Sequence, residues 1–289
     1  MRIDSHQHFW RYSPSEYPWI QSGWGIRGDF LPGDLKPLLA ASGFDGCVAV
    51  QARQTLEETR WLLGLADKHP AIKGVVGWMD LCSERVDEQL AEFRRHPRLV
   101  GVRHVLQDEA DDRFMLRPDF LRGIGRLAKF DLAYDVLIFP RHLAFATDLA
   151  RRFPGQRFVL DHLAKPMIKD AVISPWKEDL ETLADEPNVF CKISGMVTEA
   201  RWRGWKKKDF KPYLDAAWGA FGEDRLMFGS DWPVCLLSGE YPEVVGIVAE
   251  WVEQFPVAGR AKFFGDNAAR FYRLNPAVPV TAPPTRFRI

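Results

Sequence analysis

The chain has 289 residues, with 39 basic and 39 acidic side chains and therefore no formal net charge, and 46% of it is hydrophobic. Those proportions suit a globular domain, and 11 Trp and 20 Phe provide enough apolar surface to exclude a disordered chain. A neutral chain lacks the basic excess that grips a phosphate backbone, no run approaches 18 apolar residues, and the first eight residues are too polar for a signal-peptide core. The expectation is a cytoplasmic protein with no nucleic-acid or membrane partner. Cys47, Cys82, Cys191 and Cys235 form no C-x-x-C pair, which fits reduced thiols rather than a zinc ribbon or a redox motif.

Short apolar or β-branched runs alternate with helix-like segments. Strands are predicted at residues 2–8, 46–51, 72–78, 99–105, 131–139, 157–162, 189–194 and 225–231. Between them, helices are expected at 32–42, 55–69, 83–96, 118–130, 141–153, 175–184 and 212–221, with a last one at 242–255. The strand starts are about 32 residues apart on average, close to the roughly 30 of one βαβ unit. Eight such units imply an α/β fold of one domain, a (β/α)8 barrel of the TIM type spanning residues 1–274, followed by a Pro-rich tail at 275–289. A doubly wound open sheet is the competing fold. It usually carries a Gly-rich phosphate turn after the first strand, and here that turn reads His6-Gln7-His8-Phe9-Trp10.

In a barrel of this kind the chemistry sits where the C-terminal strand ends converge. The polar residues at those ends are His6 and His8, Gln51, Trp78 and Asp80, Arg103 and His104, Tyr134 and Asp135, Asp161 and His162, Lys192 and Ser194, and Ser230 and Asp231. The other histidines, His69, His96 and His142, fall in helices or connectors and are expected at the surface. His6 and His8 are two apart on a strand, so both imidazoles can face one metal or one substrate group. Asp231 ends the eighth strand, which neighbours the first in a closed barrel. It can bind metal with the histidines or take a proton from water, and a plain capping role is its structural alternative. Of Asp161 and His162 at most one can point into the mouth, and His162 is the expected one. Arg103 and His104 pose the same choice; an arginine there would clamp a substrate or polarise a carbonyl, or serve only in a structural ion pair.

The motifs DSHQHFW, GVVGWMDL, GVRHVLQ, YDVLIFPRHL, VLDHLAKP, KISGMVTEARW and RLMFGSDWPV, in that order, resemble the amidohydrolase superfamily (amidohydrolase 2 type) over residues 2–272. More narrowly they resemble its sugar-lactonase group, the L-fucono- and L-rhamnono-lactonases and related aldonolactone hydrolases. The resemblance implies a distorted barrel, a site core of His6, His8, His162 and Asp231, and water attacking a ring ester. The sequence departs from the binuclear members of the superfamily. It has no Lys at the end of strand four, and Tyr134-Asp135 stands where a strand-five His would be. One divalent ion is therefore expected, most simply Zn²⁺ on His6, His8, His162 and Asp231. Metal-free catalysis by His and Arg side chains is the other option.

The catalytic set is thus Asp231, His162 and Arg103. Gln51, His104, Asp135 and Lys165 are candidate partners of sugar hydroxyls, and Trp10, Trp78 and Trp202 candidate walls for the sugar's apolar face. The segment 196–212 is a candidate lid, with Lys206-Lys207-Lys208 read as a solvated charged face. The expected partner is a small sugar lactone of L-fucono-, L-rhamnono- or L-galactono type, with a homodimer left open. A metal-dependent decarboxylase, a hydrolase of aromatic or dicarboxylate lactones and a non-catalytic sugar-binding barrel are the alternatives.

Overall fold

The computed structural model describes residues 1–274, so the tail at 275–289 lies outside the described residues. Eight strands follow one another in a parallel sheet in chain order: β1 (Ile3–Gln7), β2 (Gly46–Val50), β3 (Ile72–Gly77), β4 (Leu99–His104), β5 (Ala133–Val136), β6 (Phe158–Leu160), β7 (Val189–Ile193) and β8 (Leu226–Phe228). The sheet closes between β8 and β1. Asp231 N donates to the His6 carbonyl at 2.8 Å and His8 N donates to the Trp232 carbonyl at 2.7 Å. The result is the expected (β/α)8 barrel. No helix among the described residues is long and apolar enough to cross a membrane, and all four cysteines are free thiols.

The strands alternate between the barrel interior and the helix layer. Inward residues Ile3, Val48, Val76, Val100, Ala133, Val159 and Met227 form an apolar floor. Phe271 and Tyr272 on the C-terminal helix (Asn267–Tyr272) join that floor from below. The larger apolar cluster lies between the strands and helices such as Leu56–Lys68, Pro118–Leu127 and Leu143–Arg152. Above the floor the inward positions turn ionic, with Arg103, Asp135, Asp161 and Lys192 all buried.

Register irregularities on β1 and β4 set which residues of those strands face inward. On β1, Asp4 pairs with Cys47 but Gln7 with Ala49, so one extra residue stands on β1. That bulge shifts the phase and lets both Ile3 at the floor and His6 above it point inward. On β4, an extra residue between Leu99 and Gly101 does the same for Arg103.

Most predicted boundaries shift by a few residues, β8 ending at Phe228 rather than at Asp231, and three of the shifts have a visible local cause. Strand five starts only at Ala133, because Asp131 takes a left-handed turn with φ 55°. Strand six stops at Leu160, because His162 starts a second left-handed segment. The helix expected from Pro212 begins at Lys207, where the Asp209 carboxylate accepts the Lys206 N–H at 2.8 Å and caps the first turn. Pro212 then lies inside the helix and forgoes one backbone bond.

Gly229 follows β8 at the seam, and a Cβ there would sit 2.6 Å from His6 Cβ. Gly229→Ala should force the two strands apart and lower stability by about 1–3 kcal/mol, measured from the urea midpoint. An unchanged midpoint would show that the seam is looser than this packing.

Candidate active site

Four imidazole and carboxylate side chains converge above the ionic layer. Asp231 Oδ1 lies 3.3 Å from His8 Nε2, 3.8 Å from His6 Nε2 and 3.9 Å from His162 Nε2. His6 Nε2 and His8 Nε2 are 3.2 Å apart. His8 Nδ1 donates to the Val50 carbonyl at 2.8 Å, which fixes its tautomer and leaves a lone pair on Nε2.

Backbone in the left-handed region delivers two of these groups. Asp231 has φ 58°, turning its carboxylate back over β1. His162, Leu163, Ala164 and Lys165 all have φ between 52° and 57°. That conformation costs about 1–2 kcal/mol per residue for side chains other than glycine, asparagine and aspartate, and a run of four is an outlier of the kind that marks functional sites. Because the strand ends before it, the rule that neighbours face opposite ways no longer applies. Asp161 and His162 both point into the barrel, which corrects the expectation that only one would. His162 Nδ1 is held by Ser194 Oγ at 2.8 Å. The ring lies so close to Gly195 that a Cβ there would meet His162 Nδ1 at 2.6 Å.

Beneath the imidazoles, Asp161 accepts from Arg103 Nη1 at 3.1 Å, and its other oxygen lies 2.9 Å from Lys192 Nζ and 3.3 Å from His6 Nδ1. Arg103 Nη1 also lies 3.4 Å from His6 Nε2. Burial would raise the Asp161 carboxyl, but Lys192, His6 and Arg103 hold it well below the carboxylate range. Burial would likewise raise Asp231, and the imidazoles around it, His162 foremost, bring it below that range too. Desolvation lowers His162 to about 4 and lowers His6, so both are neutral at pH 7.

The centre opens into a cavity of about 680 Å³ whose wall includes His8, Arg103, His162, Lys165 and Asp231. Pro18 and Trp19 from the long first loop, Arg53 and Gln54 after β2, Gln107 and Asp108 after β4, and Leu137 after β5 are also part of it. Trp19 donates its indole N–H to the Ala52 carbonyl at 3.1 Å, and Arg53 pairs with Glu16 at 2.5 Å.

Several residues expected at the mouth stand elsewhere. Trp10 is fully buried in the first loop and donates to the Gly28 carbonyl. Gln51 is buried beneath the mouth, its carbonyl accepting from Arg103 Nη2. His104 points outward, bonded to Glu109 and stacked on Phe114, with the Trp78 indole N–H 3.4 Å from its Nδ1. Asp135 lies deep in the barrel against Lys192. Trp202 is 42% exposed and packs on Trp24, and the segment 196–212 contributes nothing to the cavity wall. His142, expected at the surface, is buried and bonded to Asp112. The wall residues Trp19, Arg53, Gln54 and Gln107 carried no signal beyond lying in loops after strands.

The donor atoms test whether a metal fits. Tetrahedral zinc with ligands at about 2.0–2.1 Å needs donors about 3.3 Å apart. His6, His8 and Asp231 stand 3.2, 3.3 and 3.8 Å apart, and all three are buried. A second group, His6, Asp161 and His162, is a poor cation site because Lys192 and Arg103 already neutralise Asp161.

The amidohydrolase family model matches residues 3–274. The chain belongs to the amidohydrolase family. It is 46% identical over 286 residues to an L-fucono-1,5-lactonase of Burkholderia multivorans, covering 95% of this chain and 96% of that one. It is 41% identical over 280 residues to an L-fucono-1,5-lactonase of Burkholderia ambifaria, with the same coverage. A crystal structure of an amidohydrolase from Burkholderia multivorans with bound zinc superposes with a TM-score of 0.92 at 46% identity, covering 95% of this chain and all of that one. In this amidohydrolase the family likeness and the His–His–Asp triangle together support a bound metal.

Glu58 holds the cavity rim, accepting from Ala52 N at 3.0 Å, Arg53 N at 2.9 Å and the Tyr17 hydroxyl at 3.3 Å. Burial raises its carboxyl to about 7, opposed by those bonds and by Arg53. With a folded value above the unfolded one, its contribution is complete below about pH 4.5 and is lost as pH rises through about 7. Relative to Glu58→Gln, the wild type should therefore lose stability between pH 5 and 8, on the order of 3 kcal/mol. Parallel urea midpoints at the two pH values would contradict it.

Proposed function

We propose that the protein hydrolyses sugar-derived aldonolactones of the L-fucono-, L-rhamnono- or L-galactono type, opening the ring ester to the aldonic acid. The observation that carries this reading is an anionic carboxylate, Asp231, ringed by three imidazoles in the wall of the cavity. The full-length likeness to two L-fucono-1,5-lactonases supports the substrate class.

Asp231, ionised and buried, takes the proton of a water molecule as that water attacks the ring carbonyl. Arg103 sets its positive charge on the cavity wall, where the carbonyl oxygen gains negative charge, and Asp161 fixes its orientation. When the carbon–ring oxygen bond breaks, the departing oxygen takes a proton back from Asp231, directly or through His162 Nε2 at 3.9 Å. A divalent cation on His6, His8 and Asp231, zinc by the nature of those ligands, would supply Lewis acidity toward the carbonyl.

The cavity suits a neutral polyol better than a dicarboxylate. Arg53, which could bind a second carboxylate, is already paired with Glu16, and Asp108 adds a negative charge to the same wall. Lys165, Gln54, Gln107 and Asp108 offer both donors and acceptors to hydroxyl groups. Trp19, whose ring is fixed by its bond to Ala52, supplies the apolar face that Trp10, Trp78 and Trp202 do not.

The test is proton release from a panel of L- and D-aldonolactones, followed with a pH indicator, with and without chelator. Rapid opening of a 6-deoxy-L-sugar lactone is expected, with the rate lost in chelator and restored by Zn²⁺. A flat response across the panel with Zn²⁺ present would overturn the lactonase reading. An unchanged rate in chelator would overturn the need for a cation alone.

A further inference from the structure

The buried ionic layer below the imidazoles ends on a residue from outside the barrel strands. Tyr272, in the last turn of the C-terminal helix, is 2% exposed, and its hydroxyl donates to Asp135 Oδ2 at 2.8 Å. The same Asp135 oxygen accepts from Lys192 Nζ at 2.5 Å. Lys192 Nζ in turn lies 2.9 Å from Asp161 Oδ1 and 3.1 Å from His6 Nδ1. The Tyr272 ring also faces that ammonium, with Nζ 5.6 Å from its centroid. Tyr272 therefore contacts both halves of the Lys192–Asp135 ion pair, one through its hydroxyl and one through its π face.

We propose that Tyr272 is a positioning residue for the reaction, acting through Asp135 and Lys192 on Asp161 and His6. The reason lies in where Lys192 can go. Its ammonium stands between two carboxylates, and nothing in the charges alone decides how it divides its hydrogens between them. Tyr272 and Lys192 donate to the same Asp135 oxygen, so the hydroxyl fixes where that carboxylate sits and, through it, where the ammonium stands relative to Asp161 Oδ1, 2.9 Å away. Asp161 holds Arg103 and faces His6 Nδ1, so the position of Lys192 sets the aim of one arginine and one imidazole at the centre. The helix carrying Tyr272 is itself fixed, because Arg157 donates to the Phe271 carbonyl as well as to the Asp131 carbonyl. The floor of the barrel is thus part of the apparatus that aims the site, although Tyr272 touches neither cavity nor substrate.

This inference rests on the lactonase reading for its kinetic arm only. Tyr272→Phe deletes one hydroxyl and keeps the ring, so the full-length variant should fold. On the best lactone of the panel, kcat should fall on the order of tenfold with KM within about twofold. Zinc affinity, measured by chelator competition without any substrate, should weaken by a factor of several. The double variant Tyr272→Phe/Asp135→Asn should lose little more than Asp135→Asn alone, because both cut the same chain of contacts. A variant that lowers the melting temperature while kcat, KM and zinc affinity stay at wild-type values would overturn the proposal and leave Tyr272 a packing residue. If the wild type opens no lactone, the functional reading fails on its own, and the zinc arm still decides the role of Tyr272. If Tyr272→Phe does not fold, Asp135→Asn carries the same kinetic and zinc measurements.

Discussion

The site depends on one carboxylate held in left-handed backbone at the seam where β8 meets β1. The main chain of Asp231 donates to His6 and that of the next residue accepts from His8, so the bonds that close the barrel also register the carboxylate against the two histidines. Its φ of 58° turns the side chain inward rather than along the strand. The third imidazole arrives by the same means, through the left-handed run at His162–Lys165. Both segments spend backbone free energy that the surrounding packing must supply, and Gly195 and Gly229 remove the side chains that would obstruct it.

Below that centre, the barrel interior divides into an apolar floor and an ionic layer. Two carboxylates and two cations, Asp135 and Asp161 with Lys192 and Arg103, are all buried, which is costly unless each charge is matched and hydrogen-bonded. Here the charges balance within the layer. The arrangement sets a fixed electrostatic surrounding for His6 and leaves Asp231 as the anion in the cavity wall. In the proposed reaction a water molecule there would meet a carboxylate already in its ionised form, with the Arg103 guanidinium in the same cavity wall, so little reorganisation would be required when charge develops.

Much of this was legible in the sequence where a period or a spacing carried it. The 32-residue recurrence gave the barrel, the H-x-H pair marked the end of β1, and the adjacency of first and last strands placed Asp231 beside it. Strand alternation failed where the backbone left the extended region. It allowed only one of Asp161 and His162 inside, because four consecutive non-glycine residues in left-handed conformation leave no trace in a sequence. The choice between Arg103 and His104 turned on a bulge in β4 that alternation alone cannot locate. Aromatic content drew attention to Trp10, Trp78 and Trp202, yet Trp19 lines the cavity, since loop side chains are placed by contacts rather than by period. Tyr272 carried no signal at all, because only closure of the barrel over the C-terminal helix brings it to Asp135.

The most direct measurement is the steady-state rate of Asp231→Asn on the lactone that the wild type opens fastest. Asn tolerates the left-handed backbone at this position, so the substitution removes the charge and the proton acceptor and leaves the fold. A loss in kcat of about 10²–10⁴-fold is expected, with binding of an unreactive lactam analogue retained within a few-fold. A variant that turns over within a few-fold of wild type would contradict it, and would move the proton acceptor away from Asp231.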